Sequence, residues 1–193
     1  MKNNNSIKKI KLTGKFMKSI KPRGGPFLAL VRSIIYQQIS TKAGDSISRK
    51  FYAIFAPKRP EPQTVLKLTT AKFKKSGVSN QKEGYLRDLA KKFLDKTIDP
   101  KKFSKMNDLE IKDHLIQVKG VGPWTADMFL IFTLKRPDIL PIGDLGIKHG
   151  FKKYFELKEL PTEAEMYALA KPYSGNWSEL SLFLWDFKDN KNY

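Results

Sequence analysis

The chain has 193 residues, 40% hydrophobic and 12% aromatic, which is enough apolar material for one compact domain or two small lobes. No apolar run approaches the roughly 18 residues of a membrane-spanning helix, and the polar, basic N-terminus has no signal core, so we expect a soluble intracellular protein. The absence of cysteine excludes disulfides, a catalytic cysteine, and cysteine-ligated zinc or iron–sulfur sites. With only His114 and His149, a histidine-rich metal site is not expected either.

Positive charge is the strongest global feature of the sequence. Lysine and arginine total 37 against 19 acidic residues, a net charge of +18. The first 44 residues hold ten basic residues and no acidic one, Asp45 being the first. Such a charge attracts polyanions and favours nucleic acid as the partner, although a generally lysine-rich composition would give the same excess.

Helical periodicity runs through almost the whole chain. Apolar residues recur at helical spacing, as at Ala43, Ile47, Phe51 and Phe55, and alternating strand patterns of useful length are absent. The predicted helices span residues 27–38, 41–55, 64–68, 71–76, 80–95, 100–104, 107–118, 123–134, 145–155, 162–171 and 177–187. This pattern predicts an all-α protein.

Residues 115–127 are the most informative segment, because a helix, a Gly-x-Gly turn and a new helix follow one another there. The first helix ends at Val118, the glycines are Gly120 and Gly122, and Pro123 suits the first turn of the next helix. Such a turn lets backbone N–H groups at a helix N-terminus bind phosphate oxygens. An ordinary αα-hairpin with a glycine turn is the structural alternative.

Several segments together resemble one known family. The run Val118-Lys-Gly-Val-Gly-Pro-Trp-Thr-Ala-Asp127, followed by Leu140-Pro-Ile-Gly-Asp-Leu-Gly-Ile-Lys148, resembles the helix-hairpin-helix–GPD superfamily of base-excision DNA glycosylases. Within it, the sequence is most similar to the 3-methyladenine DNA glycosylase II (AlkA-type) branch. Residues 33–43 resemble the first core helix and wedge loop of that branch, and residues 171–185 resemble its final pocket helix.

The resemblance implies an all-α, two-lobed fold with the active site in the cleft between the lobes. A basic segment, residues 1–24, would join a glycosylase domain of residues 25–193. One lobe would contain roughly residues 40–135, and the N-terminal and C-terminal helices would form the other. Larger AlkA-type enzymes carry an additional N-terminal β-domain, which is not expected here because only about 25 residues precede the helical core.

Asp144 lies 22 residues after Gly122, where the superfamily has its essential aspartate. Hydrolysis of an N-glycosidic bond builds oxocarbenium character on the deoxyribose, and a carboxylate can stabilise that cation and orient or deprotonate the attacking water. Asp144 could also cap the helix that begins near Leu145, and the two roles are compatible. We predict Asp144 as the catalytic residue and interpret Asp138 as a surface turn residue.

Relatives that also cut the DNA backbone carry a lysine two residues after the second hairpin glycine, where it forms a Schiff base. In this chain Trp124 stands at that position, and neither Lys119 nor Lys148 matches it. The resemblance therefore implies a monofunctional enzyme that leaves an abasic site.

The resemblance places Trp124 and Trp185 in the pocket that holds the extruded base, with Tyr36 and Met128 as further pocket residues. Indole rings suit a cationic alkylated purine through stacking and cation–π attraction. The alternative is that both tryptophans are helix-packing core residues.

Two segments depart from the family pattern. In the turn 36–40, polar Gln38 stands at the wedge position, where the compared family member has an aliphatic residue, so Ile39 could intercalate instead. The alternative is a helix C-terminal turn buried between the lobes. Residues 174–178, around Trp177, are longer than the family's Pro-aromatic-Arg-Ser pattern, and no role is assigned to them.

The predicted partner is double-stranded DNA containing a damaged base, bound by a monomer in the cytoplasm or nucleoid, or in the nucleus of a eukaryote. The predicted DNA contacts are Gln38, Ile39, Lys119, Gly120, Val121, Gly122, Thr125 and Lys148. No metal or cofactor is required, and a monovalent cation could sit at the hairpin when DNA is bound. The expected substrates are 3-methyladenine and 7-methylguanine. Hypoxanthine, uracil or 8-oxoguanine are alternative lesions, and a non-catalytic helix-hairpin-helix module is the alternative of another class.

Overall fold

A computed structural model describes residues 10–21 and 24–190, and helices are the only regular secondary structure among them. The helices, α1 to α11 in chain order, are Lys15–Ser19, Pro26–Tyr36, Thr41–Ala53, Pro62–Leu66, Thr70–Ser76, Asn80–Leu94, Asp108–Leu115, Pro123–Phe132, Leu145–Tyr154, Glu163–Ala170 and Trp177–Asp189. Two 3₁₀ helices span Pro100–Lys105 and Lys171–Tyr173. The predicted all-α class is confirmed.

The helices from α2 to α11 lie where the periodicity predicts them. Several begin at the side-chain caps that their sequences supply: Ser40, Thr69, Ser79, Asn107 and Thr162 each accept a hydrogen bond from a first-turn amide of the helix that follows. The short helix α1 was not predicted, because five residues after a glycine carry no readable period.

The chain divides into two compact units. The hairpin unit consists of residues 22–133, and the terminal unit consists of residues 1–21 and 134–193. The hairpin unit begins at residue 22 rather than near residue 40, since α2 packs against α3 and α6 within it. Its fully buried side chains include Leu30, Ile34, Ile35, Phe51, Phe73, Leu86, Leu89, Ile111, Leu115 and Leu130.

In the terminal unit, α9 and α11 pack together over a core of buried apolar residues. The segment before α1 belongs to this unit, since Ile10 is buried there and its N–H donates to the Tyr173 hydroxyl at 3.0 Å. The Glu179 carboxylate accepts from the N–H groups of Phe16 (3.1 Å) and Met17 (2.8 Å) and so caps α1. Residues 1–9 of the predicted basic segment lie outside the described residues.

Within residues 10–21 and 24–190, none of the helices combines the length and the apolarity that a membrane crossing requires.

Candidate active site

The hairpin turn, residues 116–122 between α7 and α8, contains two glycines that differ in their surroundings. Gly120 has a φ of +81°, and a Cβ atom there would lie 2.2 Å from the Tyr85 ring, so both the backbone and the packing require glycine. Gly122 has a φ of −98°, and a Cβ atom there would meet nothing within 4 Å. The fold therefore explains Gly120 and leaves the surface at Gly122 open to close approach.

Two hydrogen bonds from other segments fix the hairpin turn. The Lys119 N–H donates to Asp88 at 2.8 Å, and the Gln37 side-chain amide donates to the Gly120 carbonyl at 2.7 Å. Burial raises the pKa of Asp88, but hydrogen bonds from Lys92 and the Lys119 N–H outweigh it and lower the pKa overall. The turn is thus held in one conformation by α2 and α6.

Two of the predicted DNA contacts need correction. The Val121 N–H donates to the Val118 carbonyl at 2.9 Å and its side chain is 5% exposed, so Val121 is committed within the turn. Thr125 is 4% exposed, so it presents almost no surface to DNA. Lys119 is exposed, as predicted for a residue that meets phosphates.

A buried ion pair joins the two helices of the hairpin. Lys112 on α7 lies 2.7 Å from the carboxylate of Asp127 on α8, and Asp127 is only 6% exposed. Burial raises the pKa of Asp127, and Lys112 opposes that shift. No sequence pattern indicates this pair, since the two residues belong to different helices.

A cavity of about 720 Å³, the α2/α8 cavity, lies within the hairpin unit and contains three predicted pocket residues, Tyr36, Trp124 and Met128. Trp124 is 50% exposed, so it is not a helix-packing core residue. Met128 is buried in the cavity wall. An exposed indole beside a soft thioether can hold a planar base by stacking.

Tyr36 lines the same cavity, but other groups of the protein already hold its ring. The guanidinium of Arg32 lies 4.0 Å over the ring centroid, and the hydroxyl hydrogen-bonds to Asp45. Burial, followed by this hydrogen bond, raises the pKa of Tyr36. Arg32 covers one face of the ring, and Gly44 of α3 packs so closely on the ring that a Cβ atom there would lie 2.6 Å from it, so Tyr36 is held by the protein rather than open for stacking.

The wedge turn after α2 is exposed. Gln38 has a φ of +56°, and Gln38 and Ile39 are both exposed within the hairpin unit, with Ile39 at 36%. Lys82 holds the turn from α6, since its ammonium donates to the carbonyls of Ile35 (2.7 Å) and Gln37 (2.8 Å), and burial lowers its pKa. No sequence pattern marks Lys82, because its partners are more than 40 positions away.

In the terminal unit, Asp144 caps α9. Its Oδ1 accepts from the Ile147 N–H at 2.7 Å and from the Trp185 indole N–H at 2.9 Å. The capping role considered from the sequence is thus present, and Trp185 lies against the predicted catalytic carboxylate. Lys148 is half-buried one turn further along α9. Asp144 and Trp185 belong to the terminal unit, and Trp124, Tyr36 and Met128 belong to the hairpin unit.

Gly146 makes the contact between the indole and the carboxylate possible. A Cβ atom at this position would lie 2.9 Å from Asp144 Oδ1 and 3.0 Å from Trp185 Nε1. The glycine two residues after Asp144 therefore admits the indole edge, a role that sequence reasoning missed.

The loop that leads to Asp144 is fixed to the start of α11. The carboxylate of Asp138 accepts from the N–H groups of Gly175 (2.7 Å) and Trp177 (3.2 Å), so Asp138 is an anchor rather than the predicted surface turn residue. The Trp177 indole donates to the Ala170 carbonyl at 2.9 Å. The segment 174–178 is therefore structural, and it tethers the loop that leads to Asp144.

The family described as "HhH-GPD superfamily base excision DNA repair protein" matches residues 31–174 of the chain, about three quarters of its length. The chain belongs to this superfamily. It is 30% identical over 167 residues to the alkylbase DNA glycosidase-like protein mag2 of Schizosaccharomyces pombe, a match that covers 85% of this chain and 78% of that protein.

Two further comparisons agree with this assignment. The chain is 38% identical over 140 residues to the DNA-3-methyladenine glycosylase of Saccharomyces cerevisiae, covering 68% of this chain and 47% of that protein. The solved structure of an S. pombe 3-methyladenine DNA glycosylase in complex with abasic DNA is similar with a TM-score of 0.78 and 26% identity, over 93% of this chain and 91% of that one. The chain spans about half the length of the S. cerevisiae relative and of one from Bacillus subtilis.

Replacing Trp185 by phenylalanine is expected to lower the rate of base excision about tenfold and to leave DNA affinity unchanged. The variant keeps the ring but loses the N–H that orients Asp144, and a hydrogen bond to a charged group is worth roughly 1.5–3 kcal/mol. Single-turnover excision and the DNA Kd measure the two effects separately. Trp177→Phe, which also loses an indole hydrogen bond, is the control and should excise at the wild-type rate. Full activity of the Trp185 variant would contradict the positioning role.

Proposed function

We propose that this protein is a monofunctional DNA glycosylase that hydrolyses the N-glycosidic bond of alkylated purines, of the 3-methyladenine and 7-methylguanine type, and leaves an abasic site. The proposal is based on the way Asp144 is held. Its carboxylate accepts hydrogen bonds from the first turn of α9 and from the indole of Trp185. Relatives of this chain are named DNA-3-methyladenine glycosylases, which supports the same class of substrate.

The chemistry follows from where the negative charge is held. As the bond between base and sugar lengthens, positive charge develops on C1′ and the ring oxygen of the deoxyribose. A carboxylate fixed by two hydrogen bonds can stabilise that charge without first reorganising, and it can orient or deprotonate the water that attacks C1′. Because the bond to water forms as the bond to the base breaks, the products are the free base and an abasic sugar.

The extruded base would be held by Trp124. An exposed indole in a cavity of about 720 Å³ offers stacking to any purine, and the electron-rich ring favours a base that carries the positive charge of an alkylated nitrogen. Trp124 also stands where a backbone-cutting relative would have its Schiff-base lysine. The cavity does contain Lys82, but its ammonium is engaged with two backbone carbonyls.

The proposed partner is duplex DNA, bound by a monomer in the compartment that holds the cell's DNA, and no cofactor takes part in the hydrolysis. No group of three or more histidine, aspartate and glutamate side chains that could hold a metal ion occurs in the described part of the chain. A monovalent cation at the hairpin fits oxygen ligands. The Val118 and Gly120 carbonyls each accept one hydrogen bond and keep a second lone pair.

Excision assays across a panel of duplexes test the proposal. The panel contains 3-methyladenine, 7-methylguanine, hypoxanthine, uracil and 8-oxoguanine, with strand scission measured before and after alkali. We expect release of the two methylated purines and scission only after alkali. Excision of only the other lesions would refute the substrate class, and DNA binding with no excision would indicate a non-catalytic module. A borohydride-trapped complex would refute the monofunctional mechanism.

Replacing Trp124 by alanine is expected to lower excision of 7-methylguanine about tenfold or more, because base–aromatic stacking is worth roughly 1–3 kcal/mol. The loss should be smaller for uncharged hypoxanthine, which lacks the cation–π attraction. Single-turnover rates on the two duplexes give the comparison. Tyr167→Ala, which removes another exposed aromatic ring, should change neither rate. Equal losses on both lesions would mean that Trp124 contributes no charge selectivity.

A further inference from the structure

A second concave surface, the α6 groove, lies beside the hairpin turn within the hairpin unit. It has a volume of about 450 Å³ and is bounded by α6 and by Lys119 at the start of the Gly-x-Gly sequence. Asn80, Gln81, Gly84 and Lys91 contribute its exposed surface from α6. The groove and the α2/α8 cavity share only Gln81 and Tyr85.

The acidic residue in this groove is neutralised by the protein itself. Asp88 accepts from the Lys92 ammonium at 2.7 Å and from the Lys119 N–H at 2.8 Å. Lys91 and Lys119 are exposed, and neither forms an ion pair with any described residue, although Lys91 acts electrostatically on Asp95 and Lys119 on Asp88. The groove therefore presents two lysines outside any ion pair, and its one carboxylate is already paired with Lys92.

Arg87, the third basic residue of the groove, is fully occupied by the fold. Its guanidinium donates to Glu83 (2.9 Å) and to the carbonyls of Leu66 (3.0 Å) and Leu68 (2.7 Å). It fixes α6 against the segment after α4 and makes the wall of the groove rigid. Ligand binding would fall to Lys91, Lys119 and the two side-chain amides.

Gly84 indicates a ligand for a reason that does not depend on charge. It lies inside the 15-residue helix α6, is exposed, and a Cβ atom there would meet nothing within 4 Å. Glycine inside a helix is less favourable than alanine, and no atom of the described chain requires its small size. A bare stretch of helix between lysines and amides is a surface that a second backbone can approach closely.

We propose that the α6 groove binds the sugar–phosphate backbone of DNA and extends the contact made at the hairpin turn. Lys119 belongs to both surfaces, so one nucleic-acid strand could follow them without a break. Exposed ammonium and amide donors match phosphate oxygens, and Gly84 allows the strand to approach the helix. The proposal rests on the proposed function only in taking duplex DNA as the ligand.

Substitutions of Gly84 test the proposal with two measurements that should move in opposite directions. Gly84→Ala is expected to raise the Tm by about 2 °C, because alanine favours the helix. It should nevertheless weaken binding of an undamaged duplex about threefold, and Gly84→Leu should weaken it about tenfold, as the strand is pushed outwards. Affinity unchanged in Gly84→Leu would overturn the proposal, whatever the Tm.

The charge of the groove is tested by Lys91→Gln, with Lys74→Gln as the matched control. Lys74 is equally exposed on α5 and lies outside the groove. Loss of a phosphate contact should lower the slope of log K against log salt by about 1 for Lys91→Gln, and the control should keep the wild-type slope. Equal slopes, or a groove that binds an acidic peptide in preference to DNA, would overturn the proposal. Because binding is measured with an undamaged duplex, these results can be interpreted even if the protein excises no base.

Discussion

Asp144→Asn is expected to lower the excision rate about 10³-fold while the fold and DNA affinity are preserved. Asparagine is as good an N-cap as aspartate, and its side-chain oxygen can still accept from the Ile147 N–H and the Trp185 indole. The substitution therefore removes the negative charge and little else. Single-turnover excision of 7-methylguanine measures the effect, and the Tm and the duplex Kd show that the rest is unchanged.

Asp138→Asn is the matched control for this experiment. Asp138 also accepts two backbone N–H groups, and asparagine can do the same, so excision should stay at the wild-type rate. Asp144→Ala loses both the helix cap and the charge. It should therefore lower the excision rate as Asp144→Asn does and also lower the stability by about 1 kcal/mol. An Asp144→Asn variant that excises within tenfold of wild type would show that the carboxylate does not drive the reaction.

The parts of the site that could be predicted from the sequence are the local ones. The glycine turn, the proline at the start of α8 and the cap at Asp144 all follow from residues within a few positions of one another. Helical periodicity is likewise a pattern of neighbouring residues. It therefore predicted α2 to α11 but not the five-residue helix α1. The stability of α1 depends on Glu179, more than 160 positions away.

The parts that were missed are contacts between distant segments. Lys82 holds the wedge turn, Asp88 holds Lys119, and Gly146 admits the indole of Trp185, yet no motif or period marks these residues. Tyr36 was predicted as a pocket residue from its position alone, and its position could not show that Arg32 covers one face of the ring. Sequence pattern thus singled out Asp144 as the candidate catalytic carboxylate, and the structure shows the groups that orient it.

Lys112→Met is expected to destabilise the protein by about 3 kcal/mol at neutral pH, because it leaves the Asp127 carboxylate buried without its partner. In a protein of this size that loss lowers the Tm by about 10 °C. Asp127→Asn should cost less, because Lys112 is partly exposed and its ammonium can turn to water. Thermal melts at pH 7.5 rank the two variants, and wild-type stability of Lys112→Met would contradict the pairing.

The pH dependence of Lys112→Met identifies the buried charge as the cause. Burial raises the pKa of Asp127 in the folded state, so the folded protein binds this proton more readily than the unfolded chain does. Binding of that proton stabilises the folded protein at low pH, and this stabilisation is lost as the pH rises through the folded pKa. Without Lys112 the pKa of buried Asp127 should rise further, so the pH dependence becomes stronger. The stability deficit of Lys112→Met should therefore shrink between pH 7.5 and pH 5. That of Asp127→Asn should not shrink, because this variant lacks the group that binds the proton. If the deficit of Lys112→Met does not depend on pH, lost packing of the lysine stem, rather than an unpaired carboxylate, accounts for it.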